Sequence, residues 1–276
     1  MPPVLEVPVF SAAAAKVAVE HGATRLEVNR AGSYAAGGLT PTLAEVEAIA
    51  DAVPVPLRIM IRPRRPQVEQ ADFLYTDDEF QQMRRELAAF VASGLLQHDR
   101  GDGFVFGILK ENSTGRLGVD IERNRELVQA ARPYACAFHR AFDLVLGDAA
   151  AADKRHAESA LAAIRECGFS GVLTAGGPGS RGALDHAAML KELVSTAITA
   201  GTNAPCLEII VGGGVRSSNV RTLAAQVLRG SNKARHAVSF HSSCLVDSAA
   251  AILLGAEGEG VSGEEVEQIG RTLASV

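Results

Sequence analysis

Short apolar runs alternate with longer amphipathic stretches from one end of the chain to the other. The runs have the length of strands, and the stretches between them are rich in Ala, Leu, Glu and Arg. We predict strands over residues 4–9, 25–29, 57–61, 103–107, 134–139, 171–174, 207–211 and 237–241. We predict helices over roughly 11–21, 41–52, 77–93, 120–132, 153–167, 183–200 and 217–229. Strands that alternate with helices pair in parallel through right-handed crossovers.

The number of strands favours a closed α/β barrel. Eight parallel strands close a (β/α)8 TIM barrel, and 276 residues suit that fold. The alternative is an open doubly wound sheet, but the early glycine-rich segment AAGGLTP (35–41) lacks the GxGxxG spacing. We therefore predict one barrel over 1–246 and a short C-terminal extension over 247–276, ending in a helix at 263–274.

Local signals mark the ends of several helices. Ser11 is placed to cap the first helix, Pro41 takes a first helical position after Thr40, and Thr76 to Glu79 resembles a capping box. The segment from Arg62 to Tyr75 is longer than an ordinary loop, and long loops at that end of a barrel are usually functional.

Composition excludes several classes of function. A net charge of −5, 5% aromatic residues and no Trp are poorly suited to binding a phosphate backbone or stacking bases. There is no apolar run of about 18 residues and no signal-peptide pattern, so we predict a cytoplasmic protein without a membrane span. The four cysteines contain no CxxC pair, which favours reduced thiols over disulfides or a structural zinc site.

Two buried carboxylates are predicted on neighbouring strands. Glu6 and Glu27 each lie in a Leu-Glu-Val triplet, and a side-chain period of two turns both into the barrel. Such carboxylates repel unless a cation lies between them or one keeps its proton. The candidate cations are Arg58, Arg62, His139 and Arg140. Two interpretations remain open: an ion-pair network that closes the barrel, or a polar pocket where barrel enzymes bind substrate.

The segment FHRAFD (138–143) is the densest chemical signal. His139 is a candidate acid and base, Arg140 a fixed cation, and Asp143 a carboxylate that could orient the imidazole. A histidine at a strand end is also compatible with a purely structural role. With Glu6 or Glu27 as a second proton-transfer group and Arg62 binding an anion, these residues form a candidate catalytic set.

Glycines follow the seventh predicted strand directly. Gly212, Gly213 and Gly214 lie where barrels commonly bind phosphate through bare backbone N–H groups. The exit of the eighth strand adds His241 and Ser242 as candidate substrate-binding residues. A tight strand–helix turn would explain the glycines equally well.

Metal ligation is a further possibility. Cysteine suits Cu(I), and histidine suits copper or zinc. Cys244 lies just beyond His241, and Cys136 lies in the fifth strand, so these three are the candidate ligands. Free cysteines are more often small buried hydrophobes.

Several motifs occur together in order along the chain. They are GGLTPT (37–42), MIRPR (60–64), DFLYTDDE (72–79), FHRAFD (138–143), LTAGG (173–177) and GGGVRSSN (212–219). With these motifs the chain resembles the CutC copper-homeostasis family from about Leu5 to Ser243. The resemblance implies a (β/α)8 barrel, a homo-oligomer and a role in copper binding or trafficking, with copper as the one possible cofactor and no organic cofactor.

The chain departs from that family at two strand positions. Where many members carry Cys in the first and second strands, this chain has Glu6-Val7-Pro8-Val9 and Glu27-Val28-Asn29. It also has inserts near 65–71 and 96–101. Two functions therefore stay open: a copper-homeostasis protein, or a lyase or isomerase that acts on a small anionic, sugar-like or phosphorylated substrate.

Overall fold

Eight parallel strands close into a barrel, which confirms the predicted fold class. The computed structural model describes residues 2–68, 71–147, 154–179, 182–199, 206–228, 232–246 and 259–276. The strands in chain order are β1 (Val4–Val9), β2 (Arg25–Val28), β3 (Leu57–Met60), β4 (Gly103–Phe106), β5 (Leu109–Glu111), β6 (Leu117–Val119), β7 (Ala135–Phe138), β8 (Gly171–Thr174), β9 (Glu208–Val211) and β10 (Val238–His241). The barrel order is β1-β2-β3-β4-β7-β8-β9-β10, and β10 pairs with β1. β5 and β6 form a separate antiparallel hairpin, which was not predicted.

Helices follow most barrel strands, close to the predicted positions. They are α1 (Ala12–Glu20), α2 (Leu43–Ala50), α3 (Asp77–Ala92), α4 (Ile121–Ala130), α5 (Ala141–Leu146), α6 (Lys154–Cys167), α7 (Ala187–Thr199), α8 (Val220–Val227), α9 (Asn232–Ala237) and α10 (Gly263–Ala274). Short 3-10 turns add Tyr34–Ala36 and His98–Arg100, the second within the insert near 96–101. The short helices α5 and α9 were not predicted.

Side-chain caps explain where two helices start and where one prediction fails. Ser11 accepts from the N–H of Ala14, and Thr76 and Glu79 form the predicted capping box. The second helix does not begin at Pro41, because Thr42 and Glu45 form a reciprocal capping box that fixes its start at Leu43, two residues later.

The eighth helix also begins later than predicted. The predicted start at 217 is wrong, because Asn219 accepts from the N–H of Arg216 and donates to the carbonyl of Gly214, which holds these residues in a turn. Helix α8 therefore starts at Val220. This turn keeps Arg216 at the mouth of the barrel rather than within a helix.

The two sides of the barrel wall carry different side chains. Leu5, Val7 and Val9 of β1 lie in the apolar core between barrel and helices, whereas Glu6 faces inward and bonds to side chains from other strands. A small apolar cluster occupies the opposite side of the interior. It consists of Met60, Val105, Ala137, Leu173 and Ile210.

The last helix covers the barrel from outside. Val266, Ile269 and Leu273 of α10 are buried, and α10 packs against α1 and α8. The predicted extension starts at 247, and residues 247–258 lie outside the described ones, as do 69–70 of the first insert. No helix in the described segments is both long and apolar enough to cross a membrane.

Candidate functional site

A cavity of about 320 Å³ lies at the end of the barrel where the parallel strands finish. It gathers most of the predicted site residues: Glu27, Arg62, His139, Arg140, Gly213, Gly214 and His241. The sequence reasoning did not single out several other wall residues, which are Asn29, Tyr34, Phe73, Arg216 and Ser243. Four predicted residues, Glu6, Asp143, Gly212 and Ser242, lie behind this wall and act on it indirectly.

Glu6 is ionised, and both of its carboxylate oxygens are engaged. Oε2 lies 2.5 Å from Nε of Arg25 and 3.8 Å from Nε of Arg58, and Oε1 accepts from Nδ1 of His241 at 2.9 Å. Burial favours protonation, but the Arg25 charge and the His241 hydrogen bond hold the pKa of Glu6 well below its usual range. Glu6 is therefore an orienting group for His241 rather than a free base.

Arg25 and His241 are the cations that the sequence reasoning missed beside Glu6. Of the four candidates named there, Arg58 takes the expected place, whereas Arg62, His139 and Arg140 bond to neither glutamate. Arg25 precedes Glu27 by two residues, so the period of a strand places both on the inner face. This spacing of two residues would have predicted Arg25 inside the barrel, next to the glutamates.

Glu27 carries an unpartnered carboxyl oxygen. Oε1 accepts from Nδ2 of Asn29 at 3.1 Å, whereas Oε2 is buried without a hydrogen-bond partner in the described part of the chain. Burial raises the pKa of Glu27, and the positive charge of His241 offsets this only in part. A carboxyl group in this state keeps its proton to higher pH than an exposed glutamate does, which suits a proton-transfer group.

His241 lies between the two glutamates. Burial opposes its charge, but the hydrogen bond to Glu6 and the negative charge of Glu27 raise its pKa above the usual value. Ligand atoms of these three residues lie within 4.8 Å of one another, and in the described segments this is the one such group of three or more His, Cys, Asp and Glu side chains. His241 thus has an oriented imidazole beside a second titratable group.

His139 is held in its neutral form. Its Nδ1 accepts from the N–H of Ala141 at 3.3 Å, and the ring of Phe73 lies 4.6 Å from its own. Burial and then the charge of Arg62 lower the pKa of His139 to about 3. Nε2 has no partner among the described residues, so this neutral ring offers one free nitrogen.

Asp143 does not orient His139 as expected. Its carboxylate accepts from Nε of Arg140 at 2.9 Å and from the hydroxyl of Thr174 at 2.6 Å. The physical reason is that α5 begins at Ala141, and one helical turn directs Asp143 back towards Arg140. Burial raises the pKa of Asp143, and Arg140 offsets part of that rise. Asp143 therefore positions Arg140.

Arg62 anchors two loops. Its guanidinium donates to the carbonyls of Ala36 and Gly38 and to Asp72 at 2.8 Å, which leaves Nε as its one buried nitrogen without a partner in the described chain. The guanidinium also stacks on Phe73 at 4.9 Å. Arg62 thus shapes the cavity wall and offers a ligand one N–H.

The three glycines after β9 have different roles. Gly213 and Gly214 line the cavity with φ of 99° and 71°, a backbone region that favours glycine. A Cβ on Gly212 would lie 2.6 Å from Leu173, so Gly212 permits close packing instead.

The exit of β10 presents Ser243 rather than Ser242 to the cavity. The Ser242 hydroxyl is buried and donates to the carbonyl of Val215 at 2.7 Å. Arg216 donates to the hydroxyl of Ser243 at 3.0 Å, which brings this arginine to the cavity wall. The arginine in GGGVR was the sequence signal for it.

The candidate thiol ligands face away from the barrel interior. Cys136 and Cys244 are buried in the apolar core around the barrel. Burial raises the pKa of Cys136 to about 12 and that of Cys244 to about 11. Neither belongs to the group formed by Glu6, Glu27 and His241.

The fold and site define an α/β barrel with a cationic, titratable cavity at its carboxyl-terminal end. Residues 4–237 match the model of the CutC family, and the chain belongs to that family. It is 35% identical over 209 residues to a family protein CutC of Vibrio vulnificus, covering 75% of this chain and 70% of the relative. It is 31% identical over 239 residues to the human copper homeostasis protein cutC homolog, covering 87% of this chain and 72% of the relative.

A solved structure has the same fold. The crystal structure of a CutC protein from Streptococcus agalactiae superposes with a TM-score of 0.67 at 21% identity, covering 87% of this chain and 98% of that one. At this identity the likeness establishes the barrel alone.

Proposed function

We propose that this CutC family protein is an enzyme that moves a proton within a small anionic, hydroxyl-bearing substrate, as a lyase or an isomerase does. One observation carries the proposal: a single cavity joins the unpartnered carboxyl oxygen of Glu27 with the imidazole of His241. A volume of about 320 Å³ is at the small end of the range for ligand pockets.

In this proposal Glu27 and His241 are the proton-transfer pair. The pKa of each is raised, so that each keeps its proton to higher pH than an exposed group of its kind, and the carboxyl and the imidazole can serve as acid and base. Glu6 keeps the Nδ1 proton of His241 in place and leaves its other nitrogen for the substrate. This arrangement replaces the expected pair of His139 and Asp143.

The remaining predicted residues bind and orient the substrate. The neutral ring of His139 and the Nε of Arg62 each offer one hydrogen-bonding group. Arg140, held by Asp143, supplies a positive charge at the open side of the cavity, where its side chain is 44% exposed. These groups suit an anion that carries hydroxyl or carbonyl oxygens.

A screen of small anionic metabolites by thermal shift tests binding. A ligand should raise the melting temperature of the wild type and of Arg84→Ala, but not that of Arg140→Ala. Arg84 is a matched control because its side chain is 45% exposed and pairs with Glu126. If no anion stabilises the wild type more than Arg140→Ala, the proposed binding is wrong.

Turnover of the identified ligand tests the chemistry. Glu27→Gln and His241→Gln should each lower kcat by about 10²–10⁴-fold while binding persists, because general acid–base groups contribute that much. Unchanged kcat in both variants would contradict the proton-transfer roles.

A role in copper homeostasis is the second candidate, favoured by the name of the human relative and by the group of Glu6, Glu27 and His241. Two carboxylates and one imidazole suit Cu²⁺ or Zn²⁺ better than Cu(I), which prefers thiolates. In addition, Oε2 of Glu6 already pairs with the guanidinium of Arg25 and is not free to bind a metal ion. The donor set therefore does not fit a Cu(I) site.

An anaerobic Cu(I) titration against a competing chelator, run beside a Cu²⁺ titration, tests copper binding in both oxidation states. Cu(I) affinity equal to that of a cysteine-free variant would exclude thiol ligation. A parallel Cu²⁺ titration should be weakened by His241→Gln if the three-residue group binds copper. No difference in either titration would exclude copper binding at these residues.

We also propose that the protein is a cytoplasmic homo-oligomer, as the sequence and the family resemblance predict. The four cysteines are free, which supports a reducing compartment. Sedimentation equilibrium of the purified chain tests the assembly, and a 28.9 kDa species at all concentrations would contradict it.

A further inference from the structure

One corner of the cavity concentrates hydrogen-bond donors. It is formed by Arg140, Gly213, Gly214, Arg216 and Ser243, and we refer to these five residues as the anion corner. They come from the exits of β7, β9 and β10, where β9 pairs with β10 and only β8 separates β9 from β7, so the three strand ends lie on one side of the barrel mouth.

Backbone N–H groups in the anion corner lack acceptors. In the part of the chain that the structure describes, the N–H groups of Gly213, Gly214 and Ser243 donate to no backbone or side-chain oxygen. Gly213 and Gly214 both have positive φ, and successive residues in turn conformations form the concave N–H nests that bind anions. An anion in the cavity would satisfy these donors.

Two guanidinium groups add positive charge. Arg216 donates to the carbonyl of Val215 and to the hydroxyls of Ser242 and Ser243, and no described carboxylate pairs with it. Arg140 donates from Nε to Asp143, and its Nη atoms have no partner among the described residues. Within the described ranges, the positive charge of Arg216 is therefore not paired with a carboxylate.

Space under Arg140 is kept open by Gly213. A Cβ built on Gly213 would lie 3.6 Å from Cζ of Arg140 and 2.7 Å from Cβ of Ala175. Any side chain here would both clash with β8's exit and block the approach of an anion to the guanidinium. The glycine thus leaves room for a ligand as well as forming the turn.

We propose that the anion corner binds the phosphoryl group of a phosphate monoester, so that the substrate is a small phosphorylated hydroxy compound. The number of hydrogen-bond donors indicates the ligand. The corner offers three N–H groups, one hydroxyl and two guanidiniums, which is more than the two oxygens of a carboxylate can accept from and suits the three terminal oxygens of a phosphate. The corner's own side chains include no base at neutral pH, so the phosphoryl group is an anchor there and does not react. The identity of the whole substrate rests on the proposed function, whereas phosphate binding does not.

Calorimetry with inorganic phosphate tests the anion corner on the whole chain of 276 residues. The wild type and the control Arg84→Ala should bind phosphate, and Arg216→Met should weaken binding by at least about tenfold, the loss expected for charge-assisted hydrogen bonds. Ser243→Ala removes one oxygen atom that accepts from Arg216 and should weaken binding a few-fold. Acetate should bind more weakly than phosphate to the wild type.

Three results would overturn the inference. They are no phosphate binding by the wild type, equal phosphate affinity in the wild type and both corner variants, and acetate binding as tight as phosphate. None of these depends on turnover, so kcat of Glu27→Gln judges the proton-transfer proposal separately. Circular dichroism of Arg216→Met establishes that a loss of binding does not reflect unfolding.

Discussion

At the scale of single residues, the burial of Glu27 lowers the free energy of unfolding. Its side chain is buried, and one of its oxygens has no partner within the described residues. Above its usual pKa of 4.5 the unfolded chain releases the Glu27 proton, whereas the folded protein retains it to higher pH. The free energy of unfolding therefore falls as pH rises through this window.

Glu27→Gln should remove this pH-dependent loss. Gln keeps the shape of a protonated Glu, so we expect wild type and variant to unfold at similar temperatures near pH 4. At pH 8 the variant should be more stable by at least about 1 kcal/mol, the cost of an unsatisfied buried group. Urea unfolding across this pH range measures the difference. Glu126→Gln, an exposed control, should show no such trend, and a trend of the opposite sign would contradict a raised pKa for Glu27.

The ring of Phe73 contributes to the burial of His139, and burial is the main cause of the low pKa of that imidazole. The ring of Phe73 shields the imidazole from water, and Phe73 itself has φ of 66°, which is unfavourable for a bulky residue. Phe73→Ala should hydrate His139 and raise its pKa from about 3 towards 6.5, as followed by NMR titration of the imidazole. Phe10→Ala removes another aromatic ring from the cavity wall and should leave the pKa of His139 unchanged. An unchanged value in Phe73→Ala would assign the shift to Arg62 instead.

Sequence reasoning found individual residues better than their partners. The period of a strand was enough to turn Glu6 and Glu27 inward. The bond between Glu6 and His241 joins residues 235 positions apart, and only the closure of β10 on β1 brings them together. Conversely, Asp143 was predicted to orient His139 because the two are near in sequence. Helix α5 begins at Ala141, and its first turn directs the Asp143 carboxylate to Arg140 instead.

At the scale of elements, β2, β3 and β9 are tied together by ion pairs below the cavity. Glu208 of β9 accepts from Arg25 of β2 at 2.9 Å and from Arg58 of β3 at 2.7 Å. Ser239 of β10 also donates to Glu208. These strands lie on different parts of the ring, so the contacts cross the barrel interior. The sequence left two interpretations open, an ion-pair network inside the barrel and a polar pocket. The structure contains both, with the network below the cavity.

Removing Glu208 should leave two buried guanidiniums without their shared carboxylate. We expect Glu208→Ala to lower the free energy of unfolding by about 3 kcal/mol, since breaking a buried ion pair from one side is costly. Glu166→Ala breaks an exposed pair with Arg125 and should cost less than about 1 kcal/mol. Urea denaturation measures both. Equal effects would mean that water screens Glu208, whose side chain is 20% exposed, as fully as Glu166.

Strands and helices with a clear apolar pattern were predictable from the sequence, whereas short elements placed by tertiary contacts were not. Apolar runs located all eight barrel strands to within one or two residues. The short helix α5 and the hairpin of β5 and β6 have too few residues to show a period, and their positions depend on contacts with the barrel.

At the scale of the whole molecule, the segment just before the last helix contacts a loop of the cavity wall. The carboxylate of Glu259 accepts from the N–H of Gly32 at 2.7 Å and from that of Tyr34 at 2.8 Å. Tyr34 lines the cavity, and the same turn carries Gly37 and Gly38 of the wall. The segment that precedes α10 therefore holds the loop after β2 in place, although α10 itself packs on the outside of the barrel.

Glu259→Ala should loosen this loop without unfolding the protein. Amide hydrogen exchange at Gly32 and Tyr34 should become faster, because both N–H groups lose their acceptor, while amides of the barrel strands keep their protection. The melting temperature should change little, since the bonds lie at the surface. Glu264→Ala, which removes an exposed carboxylate that bonds only to Gln268, is the matched control. Unchanged exchange at both amides in Glu259→Ala would show that the loop after β2 is held by its own contacts and that the C-terminal segment has no part in shaping the cavity.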